Sequence, residues 1–380
     1  MQSETFVEIR HLIAQDDLAT AISRLQSFLE DSPQLDEAIV QSARHRDILR
    51  QVRLGSVNVE QANQTKNHIR TGLLELLREL EAFAVSELKH ADQDYKNIVG
   101  KIETNRGIGT SEILKNKTLD DLDKKELNRL FKNIRAIRLL SDSGQSTAKL
   151  STHEKLVRLG LAENGHIFKG TFLCLGQEHQ INAVCHTATE SKFIQFKGTE
   201  RNKILVLEDL HGNLLRQFEK MMLLMQTYIP LGRDREKSED VYEIPIETVR
   251  EFVANAFVHR NYSNEVRSYI QVELLDDRLE IKSPGHLPEN LDVNHIEGTI
   301  LINPVIAAIF HLYQHIERAG TGIRVAQQTL QANGLKPARI ENINHPKMVK
   351  VTIFRNRYSP SKNTGSWLGR LIEDIKGVFS

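Results

Sequence analysis

The spacing of apolar residues changes once along this chain, near residue 150, and the change separates two classes of structure. Before that point apolar residues recur at helical spacing, as in Ile69, Leu73, Leu76 and Leu80. After it they fall in short runs bounded by Gly, Asn and Asp, as in NKILVLEDL (202–210), which is typical of strands. The sequence therefore predicts an all-α N-terminal part followed by a mixed α/β part.

Residues 1–90 are predicted to form a small helical bundle. Asp16 or Asp17 can cap the second helix, a third helix runs from about Leu35 to Leu54, and Gly55 ends it. A long fourth helix follows, and the short connections favour antiparallel packing. Residues 91–150 are polar and lysine-rich, with a short helix near 124–137, so we expect a connector rather than core. Beyond it, HIFKGTFLCLG (166–176) and KFIQFKG (192–198) are predicted strands, and 213–228 a helix.

Composition narrows the class of protein. The chain has 380 residues, with 50 basic side chains balanced by 50 acidic ones, so no overall charge attracts nucleic acid or an anionic membrane. The first residues, MQSETF, lack the basic and then apolar run that is typical of a signal peptide, and no window approaches the ~18 continuous apolar residues of a membrane span. Cys174 and Cys185 fit neither a zinc spacing nor a disulfide framework. We expect both to be reduced core residues of a cytoplasmic protein.

The segment 242–263 predicts a helix that begins near Pro245 and carries a polar stripe. Glu251, Asn255 and His259 are four residues apart and lie on one face. The amide oxygen of Asn255 can bind Mg²⁺ without adding negative charge beside a triphosphate, and Glu251 can accept a proton from an attacking water. The alternative is a solvated polar face, which is what most amphipathic helices have.

Two glycine-containing segments follow this helix. A predicted hairpin over 268–283, with its turn at Asp276–Asp277, leads into Ser283-Pro284-Gly285, where the backbone can approach a flat ligand closely. Further on, Gly320-Thr321-Gly322 precedes a helical pattern, which is typical of an anion site at a helix N-terminus. The order of the three motifs indicates nucleotide binding more strongly than any one of them.

This series resembles the ATPases of the gyrase, Hsp90, histidine-kinase and MutL (GHKL) type, and closely the RecG-C-terminal-like transcriptional regulators. The boxes of that branch, E-x-x-x-N-A-x-x-H-R-D-Y, N-P-G-x-L-P and E-x-x-G-T-G-I, are similar to EFVANAFVHRNY (251–262), SPGHLP (283–288) and ERAGTGI (317–323). LDDLDKKEL (119–127) and LEDLHGNLLRQ (207–217) also fit the branch, so the resemblance spans about 118–355. It implies a GHKL (Bergerat) α/β sandwich in which ATP lies on a mixed sheet under a lid.

The resemblance also assigns roles to residues. Glu251 would position or deprotonate the water, Asn255 would hold Mg²⁺, and Gly285 would admit the adenine. The remaining predicted nucleotide-binding residues are His259, Arg260, Ser283, Gly320, Thr321 and Gly322, with 286–319 as the lid. Gly320 and Gly322 would meet the phosphates, while Arg260 would contact a phosphate or form a salt bridge. Ser283 stands where GHKL enzymes have an adenine-binding Asp, so its contact to the base would be weaker or water-mediated.

The N-terminal sequences VEIRHLIAQDDLATAISRLQSFL (7–29) and SARHRDILRQVRLGSVNVEQANQTKNHIRTGLLELLREL (42–80) resemble a bacterial effector-associated domain. That resemblance covers about 4–82 and implies a death-domain-like adaptor that joins effectors to NACHT-type sensors in prokaryotic conflict systems. It predicts a homotypic protein partner. The alternative is a generic bundle, since Leu occurs at these spacings in any four-helix bundle.

The segment SWLGRLIEDIKGVFS (366–380) predicts a C-terminal amphipathic helix. It could dock on its own domain, enter a partner's groove or lie on a membrane surface, and its balanced charge makes the membrane the least favoured. Many relatives of the RecG-like branch carry a nucleic-acid-binding N-terminal domain. Here the bundle takes that place, which argues against DNA binding.

Together these patterns predict a multidomain chain. The expected parts are a helical adaptor (1–90), a connector (91–150), an α/β subdomain (151–235), a GHKL-type ATP-binding domain (236–358) and a linker with the C-terminal helix (359–380). The expected function is a Mg·ATP-binding switch or slow ATPase in a bacterial conflict or antiphage defence system. The alternatives are a DNA-binding transcriptional regulator and a nucleotide-independent scaffold with a degenerate site. The GHKL resemblance is also compatible with a homodimer.

Overall fold

The protein divides into two compact units, Met1–His90 (unit 1) and Ala91–Ser380 (unit 2). The structure, a computed structural model, describes residues 2–29, 35–54, 56–141, 150–181, 184–185, 190–233, 240–263, 265–287, 301–316 and 322–355. The predicted C-terminal helix lies outside these residues, as do 142–149 and most of the predicted lid.

Unit 1 is helical, as predicted. Its helices are α1 (Gln2–Ala14), α2 (Leu18–Phe28), α3 (Leu35–Arg53) and α4 (Val59–Thr104), of which α4 continues past residue 90. The periodic apolar residues of all four helices, among them Ile9, Leu25 and Leu73, form one buried core. Asp17 caps α2 by accepting a hydrogen bond from the backbone N of Thr20, which satisfies one of the free donors at the helix start.

The described part of unit 2 combines helices with three sheets. Its helices are α5 (Lys124–Lys132), α6 (Ile134–Ser141), α7 (Thr152–Arg158), α8 (Lys169–Leu175), α9 (Glu178–Ile181), α10 (Leu214–Tyr228), α11 (Ile246–Val258), α12 (Pro304–Leu312) and α13 (Gly322–Ala332), with 3₁₀ turns at Gly109–Ser111 and Leu119–Asp121. Its strands are β1 (Ile113–Leu114), β2 (Ala162–Glu163), β3 (His166–Phe168), β4 (Glu190–Phe196), β5 (Ile204–His211), β6 (Leu231–Arg233), β7 (Asp240–Tyr242), β8 (Ile270–Leu274), β9 (Arg278–Pro284), β10 (Arg339–Asn344) and β11 (Lys347–Phe354).

The main sheet has six strands in the order β10-β11-β9-β8-β4-β5. Only the β4–β8 pair is parallel among these neighbours, so the sheet is mixed, as the resemblance implied. The predicted hairpin over 268–283 is confirmed as β8 and β9, and the predicted helix over 213–228 as α10. Helices α10 and α11 pack on one face of the sheet, where Phe193, Val272 and Ile281 alternate inward along their strands.

On the opposite face of the sheet, the described residues include a charged cluster. Glu273 and Glu280 are nearly buried there, on neighbouring strands. Arg201 donates to Glu273 (2.6 Å) and to Glu280, Arg278 donates to Glu280 (2.6 Å), and Lys282 donates to Glu273 (2.6 Å). These cations hold the pKa of the Glu280 carboxyl below its ordinary value although burial opposes the shift.

Helix α12 lies at the centre of unit 2, since every one of its residues is buried. A helix that is apolar on all sides must be covered on all sides. Phe310 of α12 packs against Phe218 of α10 and Phe257 of α11, with ring centroids 5.3 and 6.1 Å away. The packing of α12 therefore joins the two helices that cover the sheet.

Asn303 fixes the junction between α11 and α12. Its buried amide donates to the backbone carbonyls of Val258 (2.8 Å) and Arg260 (2.7 Å), just where α11 ends. Its carbonyl oxygen accepts from the hydroxyl of Thr110 (3.2 Å). One side chain thus satisfies the carbonyl of Val258, which the end of α11 leaves without a helical partner, and that of Arg260 two residues further on.

Two expectations for unit 2 need correction. Residues 91–141 are not a connector outside the core, because Tyr95, Leu122 and Leu130 are buried in the main core of the unit. The apolar residues of this segment recur at helical spacing, and the lysines lie between them. The polar composition therefore describes the outer faces of its helices and not the faces that are buried. HIFKGTFLCLG is a strand only over His166–Phe168 and continues as the buried helix α8, since a short apolar run does not distinguish a strand from a buried helix.

Cys174 and Cys185 are buried and free, as predicted, and burial raises the pKa of the Cys174 thiol well above its ordinary value. Within the described ranges, no helix is long and apolar enough to cross a membrane.

The role of Asn303 gives a stability prediction. In Asn303→Ala the buried carbonyls of Val258 and Arg260 lose their donor, and a buried polar group without a partner costs about 1–3 kcal/mol. We expect urea unfolding, followed by circular dichroism, to show a loss of at least about 2 kcal/mol. The control Asn333→Ala removes an exposed amide bonded to Thr329 and should cost less than about 1 kcal/mol. Equal losses in the two variants would contradict this role.

Candidate functional site

Helix α11 brings Glu251 and Asn255 together. Its apolar residues, including Phe252, Val253 and Phe257, are buried against the core, so the polar stripe faces the other way. The Asn255 side-chain amide donates to Oε1 of Glu251 over 2.8 Å, and both residues are partly buried. This bond uses the amide nitrogen of Asn255 and not its side-chain carbonyl oxygen. The oxygen is the atom that could bind a hard cation.

The start of α13 lies against the same carboxylate. A Cβ built on Gly322 would be 1.8 Å from Oε1 of Glu251 and 2.8 Å from Oε2, so a side chain at this position would collide with the carboxylate. The structure therefore brings together two of the three predicted motifs. A carboxylate at a helix N-terminus is favoured electrostatically by the helix dipole. Gly320 and Thr321 lie outside the described residues.

The turn after β9 is held by the segment that follows α11. The backbone N of Asn261 donates to the carbonyl of Pro284 (2.8 Å), and the N of Gly285 donates to the carbonyl of Lys347 (3.2 Å). Gly285 has φ +149°, a conformation that other residues rarely adopt, while a Cβ there would meet no atom closer than 3.7 Å. Backbone conformation rather than space therefore calls for glycine here.

Ser283 is tied to α11. Its buried hydroxyl donates to the carbonyl of Ala256 over 2.6 Å, which uses its single hydrogen. Towards any further group the Ser283 hydroxyl can act only as an acceptor.

His259 and Arg260 lie at the end of α11. His259 is the C-cap, and burial lowers its pKa to about 4, so its imidazole is neutral at pH 7. Arg260 is fully buried, donates to the carbonyl of Ser268 (3.0 Å) and lies 5.2 Å from the ring centroid of Tyr262. These contacts bind Arg260 to the interior of the fold, between α11 and β8.

Sequence reasoning missed the residues that hold the chain just beyond Gly285. The side chain of Asn342 on β10 accepts from the backbone N of Leu287 (2.9 Å) and donates to its carbonyl (3.0 Å). Asn344, on the same strand, pairs with a ring nitrogen of His286 at 3.3 Å. The only signal in the sequence is the alternation in RIENIN (339–344), which places Asn342 and Asn344 on one side of a strand but gives them no partner.

Comparisons with known proteins agree with this architecture. Residues 4–81 match the family "Effector-associated domain 11", and residues 268–353 match "Putative ATP-dependent DNA helicase recG C-terminal". The chain therefore has an N-terminal effector-associated domain 11 and a C-terminal domain of the RecG C-terminal type. Helix α11, with Glu251 and Asn255, precedes the segment that matches the second family.

Among solved structures, the chain is similar in fold to the DIP2311 protein from Corynebacterium diphtheriae, with 20% sequence identity and a TM-score of 0.50. The match covers 68% of this chain and 43% of that protein, so this chain spans less than half the length of its structural relative. No curated protein matches the chain.

The buried histidine gives a prediction about pH. The pKa of His259 is about 4 in the folded protein and about 6.5 in an unfolded chain, so the unfolded state binds more protons as the pH falls between these values. We expect the free energy of unfolding to fall between pH 7 and pH 5, and His259→Gln to abolish about 1–2 kcal/mol of that fall. The exposed His179→Gln is the matched control. Equal slopes for wild type and His259→Gln would contradict the burial of a neutral imidazole.

Proposed function

We propose that unit 2 binds Mg·ATP at the site formed by α11, the Ser283–Gly285 turn and the start of α13. It acts as a nucleotide-dependent switch or slow ATPase in a bacterial conflict system, and unit 1 links it to a protein partner. The observation that carries this proposal is the hydrogen-bonded pair of Glu251 and Asn255 against Gly322. A pair of this kind supplies a hard oxygen ligand and a base side by side, next to a helix start that favours anions.

The residues fit a magnesium ion and a triphosphate. The carbonyl oxygen of Asn255 is a neutral ligand of the kind Mg²⁺ accepts alongside waters and phosphate oxygens. When bound, Mg²⁺ would offset the negative charge of the phosphates. Gly322 has no side chain, so the backbone at the start of α13 can be approached closely by an anion.

The turn after β9 fits an adenine. Gly285 leaves one side of the turn without a side chain. The exocyclic amino group of adenine is a donor, and the hydroxyl oxygen of Ser283 can accept a hydrogen bond from it. The hydroxyl hydrogen meanwhile remains bonded to the carbonyl of Ala256. A neutral hydroxyl is a weaker acceptor than the Asp of GHKL enzymes, so we expect modest affinity for the base.

The switch would arise from competition at the start of α13. In the present structure the carboxylate of Glu251 lies at this helix start, which is also where the phosphates of the nucleotide would bind. Two anions at one helix start repel each other, so nucleotide binding would change the position of Glu251, of α13 or of both. A ligand that binds one arrangement better than another shifts the balance between them.

The first test is calorimetry of ATP binding in the presence of Mg²⁺, with phosphate release measured in parallel. We expect Asn255→Ala to weaken binding at least about 10-fold, since it removes a metal ligand. Glu251→Gln keeps the size of the side chain but removes the charge that competes with the phosphates, so binding should be unchanged or tighter while turnover falls about 100-fold or more. No heat from well-folded wild type would refute the proposal and leave a nucleotide-independent scaffold.

Gly322 allows an independent test. Gly322→Ala places a methyl group where the Glu251 carboxylate lies, so one of the two groups must move. We expect the carboxylate to move, because it is the end of a flexible side chain. We expect turnover to fall about 10-fold or more with little change in the thermal midpoint. Gly100→Ala, in α4 with open space around the added methyl, is the matched control and should leave turnover unchanged. Unchanged turnover in Gly322→Ala would contradict a role for the start of α13 in ATP hydrolysis.

A further inference from the structure

Unit 2 has a cavity on the polar face of α5, away from the residues that were predicted to bind ATP. Its walls come from one face of that helix, from the junction with α6 and from the end of α12. The lining residues are Lys125, Asn128, Arg129, Lys132, Asn133 and Tyr313. The four on α5 follow each other at intervals of three, one and three residues and so share a face. The cavity has a volume of about 620 Å³, which suits a ligand the size of a nucleotide. We call it the α5 cavity.

The α5 cavity is cationic. Three of its six lining side chains are basic and none is acidic. Lys125 and Lys132 are exposed, and neither forms an ion pair with any residue in the part of the chain that the structure describes. Arg129 is balanced by the carboxylate of Glu219, so the two lysines supply the uncompensated charge. Cations gathered in a concave site attract an anion more strongly than the same cations on a convex surface.

The guanidinium of Arg129 is held in place inside this cavity. It lies over the ring of Tyr313, 4.9 Å from its centroid, and donates to both carboxylate oxygens of Glu219. Although burial opposes the shift, hydrogen bonds from His315 and Arg129 hold the pKa of Glu219 at about 2, so this pair is charged at neutral pH. Tyr313 is fixed in turn, since its hydroxyl donates to the carbonyl of Glu126 (3.1 Å). The Arg129 side chain is still 48% exposed, so a flat group can stack on it.

Two amides lie beside the cations. The side chain of Asn128 has no hydrogen-bond partner among the described residues. The side-chain oxygen of Asn133 accepts from the backbone N of Arg135 (2.9 Å), which leaves its two N–H groups to a ligand. The α5 cavity therefore offers mainly donors, and it suits a ligand rich in acceptors.

We propose that the α5 cavity binds a nucleotide unit that carries a phosphate on each side of its sugar, as a nucleoside 3′,5′-bisphosphate does. Lys125 and Lys132 are seven residues apart, or about 10 Å along the helix, and Arg129 lies between them. Each lysine can meet one phosphate while the base stacks on the guanidinium, as bases do on arginine planes in proteins that bind single strands. The same unit occurs as a free nucleotide and within single-stranded nucleic acid.

The test is calorimetry of the full chain with adenosine 3′,5′-bisphosphate in the absence of Mg²⁺. We expect binding that Lys125→Gln/Lys132→Gln weakens at least about 10-fold, because the change removes both charges that meet the phosphates. Lys336→Gln/Lys347→Gln removes two exposed lysines elsewhere on unit 2 and should leave the Kd unchanged. Circular dichroism shows that each variant is folded.

Stacking on Arg129 is tested with a ligand that has two phosphates but no base. Fructose 1,6-bisphosphate should bind at least about 5-fold more weakly than adenosine 3′,5′-bisphosphate, because it gains only the charge interactions. Arg129→Lys keeps a cation beside Glu219 but removes the flat guanidinium, so it should abolish this preference. Equal binding of the two bisphosphates by wild type would overturn the proposal, since a merely basic surface makes no such distinction.

A single-stranded hexadeoxyadenylate distinguishes the two sources of the ligand. Tighter binding of the hexamer than of the free bisphosphate, lost in Lys125→Gln/Lys132→Gln, supports the proposal with a strand as the ligand, and the reverse order supports it with a free nucleotide. The proposal is overturned if folded wild type binds neither, or if the lysine pair makes no difference. It is also overturned if Asn255→Ala abolishes the binding, which would place the ligand at the site on α11.

Discussion

The amide of Asn303 is the constraint on which the candidate site depends. It holds the carbonyls of Val258 and Arg260 and thereby fixes where α11 ends. The next residue, Asn261, can then donate to the carbonyl of Pro284, which places Gly285 beside the end of the helix. The helix with Glu251 and Asn255 and the turn after β9 are therefore set by one chain of hydrogen bonds. Its members come from three separate stretches of sequence.

Local pattern was enough to predict the elements that carry the candidate site. The apolar spacing of α11 and the hairpin β8–β9 depend on residues that are neighbours in sequence, so they could be read directly. Asn303 and Asn342 could not be assigned partners, because these lie 43 to 55 residues away. Residues 91–141 were misjudged for a related reason: overall composition conceals an apolar face when the opposite face is rich in lysine.

The two units contribute different physical properties to the proposed function. Unit 2 places a carboxylate, an amide and a glycine at one helix start, where anions compete for the same favourable electrostatic field. Unit 1 presents apolar and basic side chains on α3 that its own core leaves exposed. The first property allows a response to nucleotide and the second allows recruitment of a protein. An effector-associated domain and a RecG C-terminal-type domain in one chain fit such a division of roles.

The central claim is that Mg·ATP binds between α11 and the start of α13. The most direct measurement is a crystal structure of the full chain grown with Mg²⁺ and a non-hydrolysable ATP analogue. The account predicts Mg²⁺ on the carbonyl oxygen of Asn255, the phosphates at the start of α13 and the base beside Ser283 and Gly285. A nucleotide bound elsewhere would contradict it. So would an empty site in crystals saturated with the analogue, with Gly322 still against the Glu251 carboxylate.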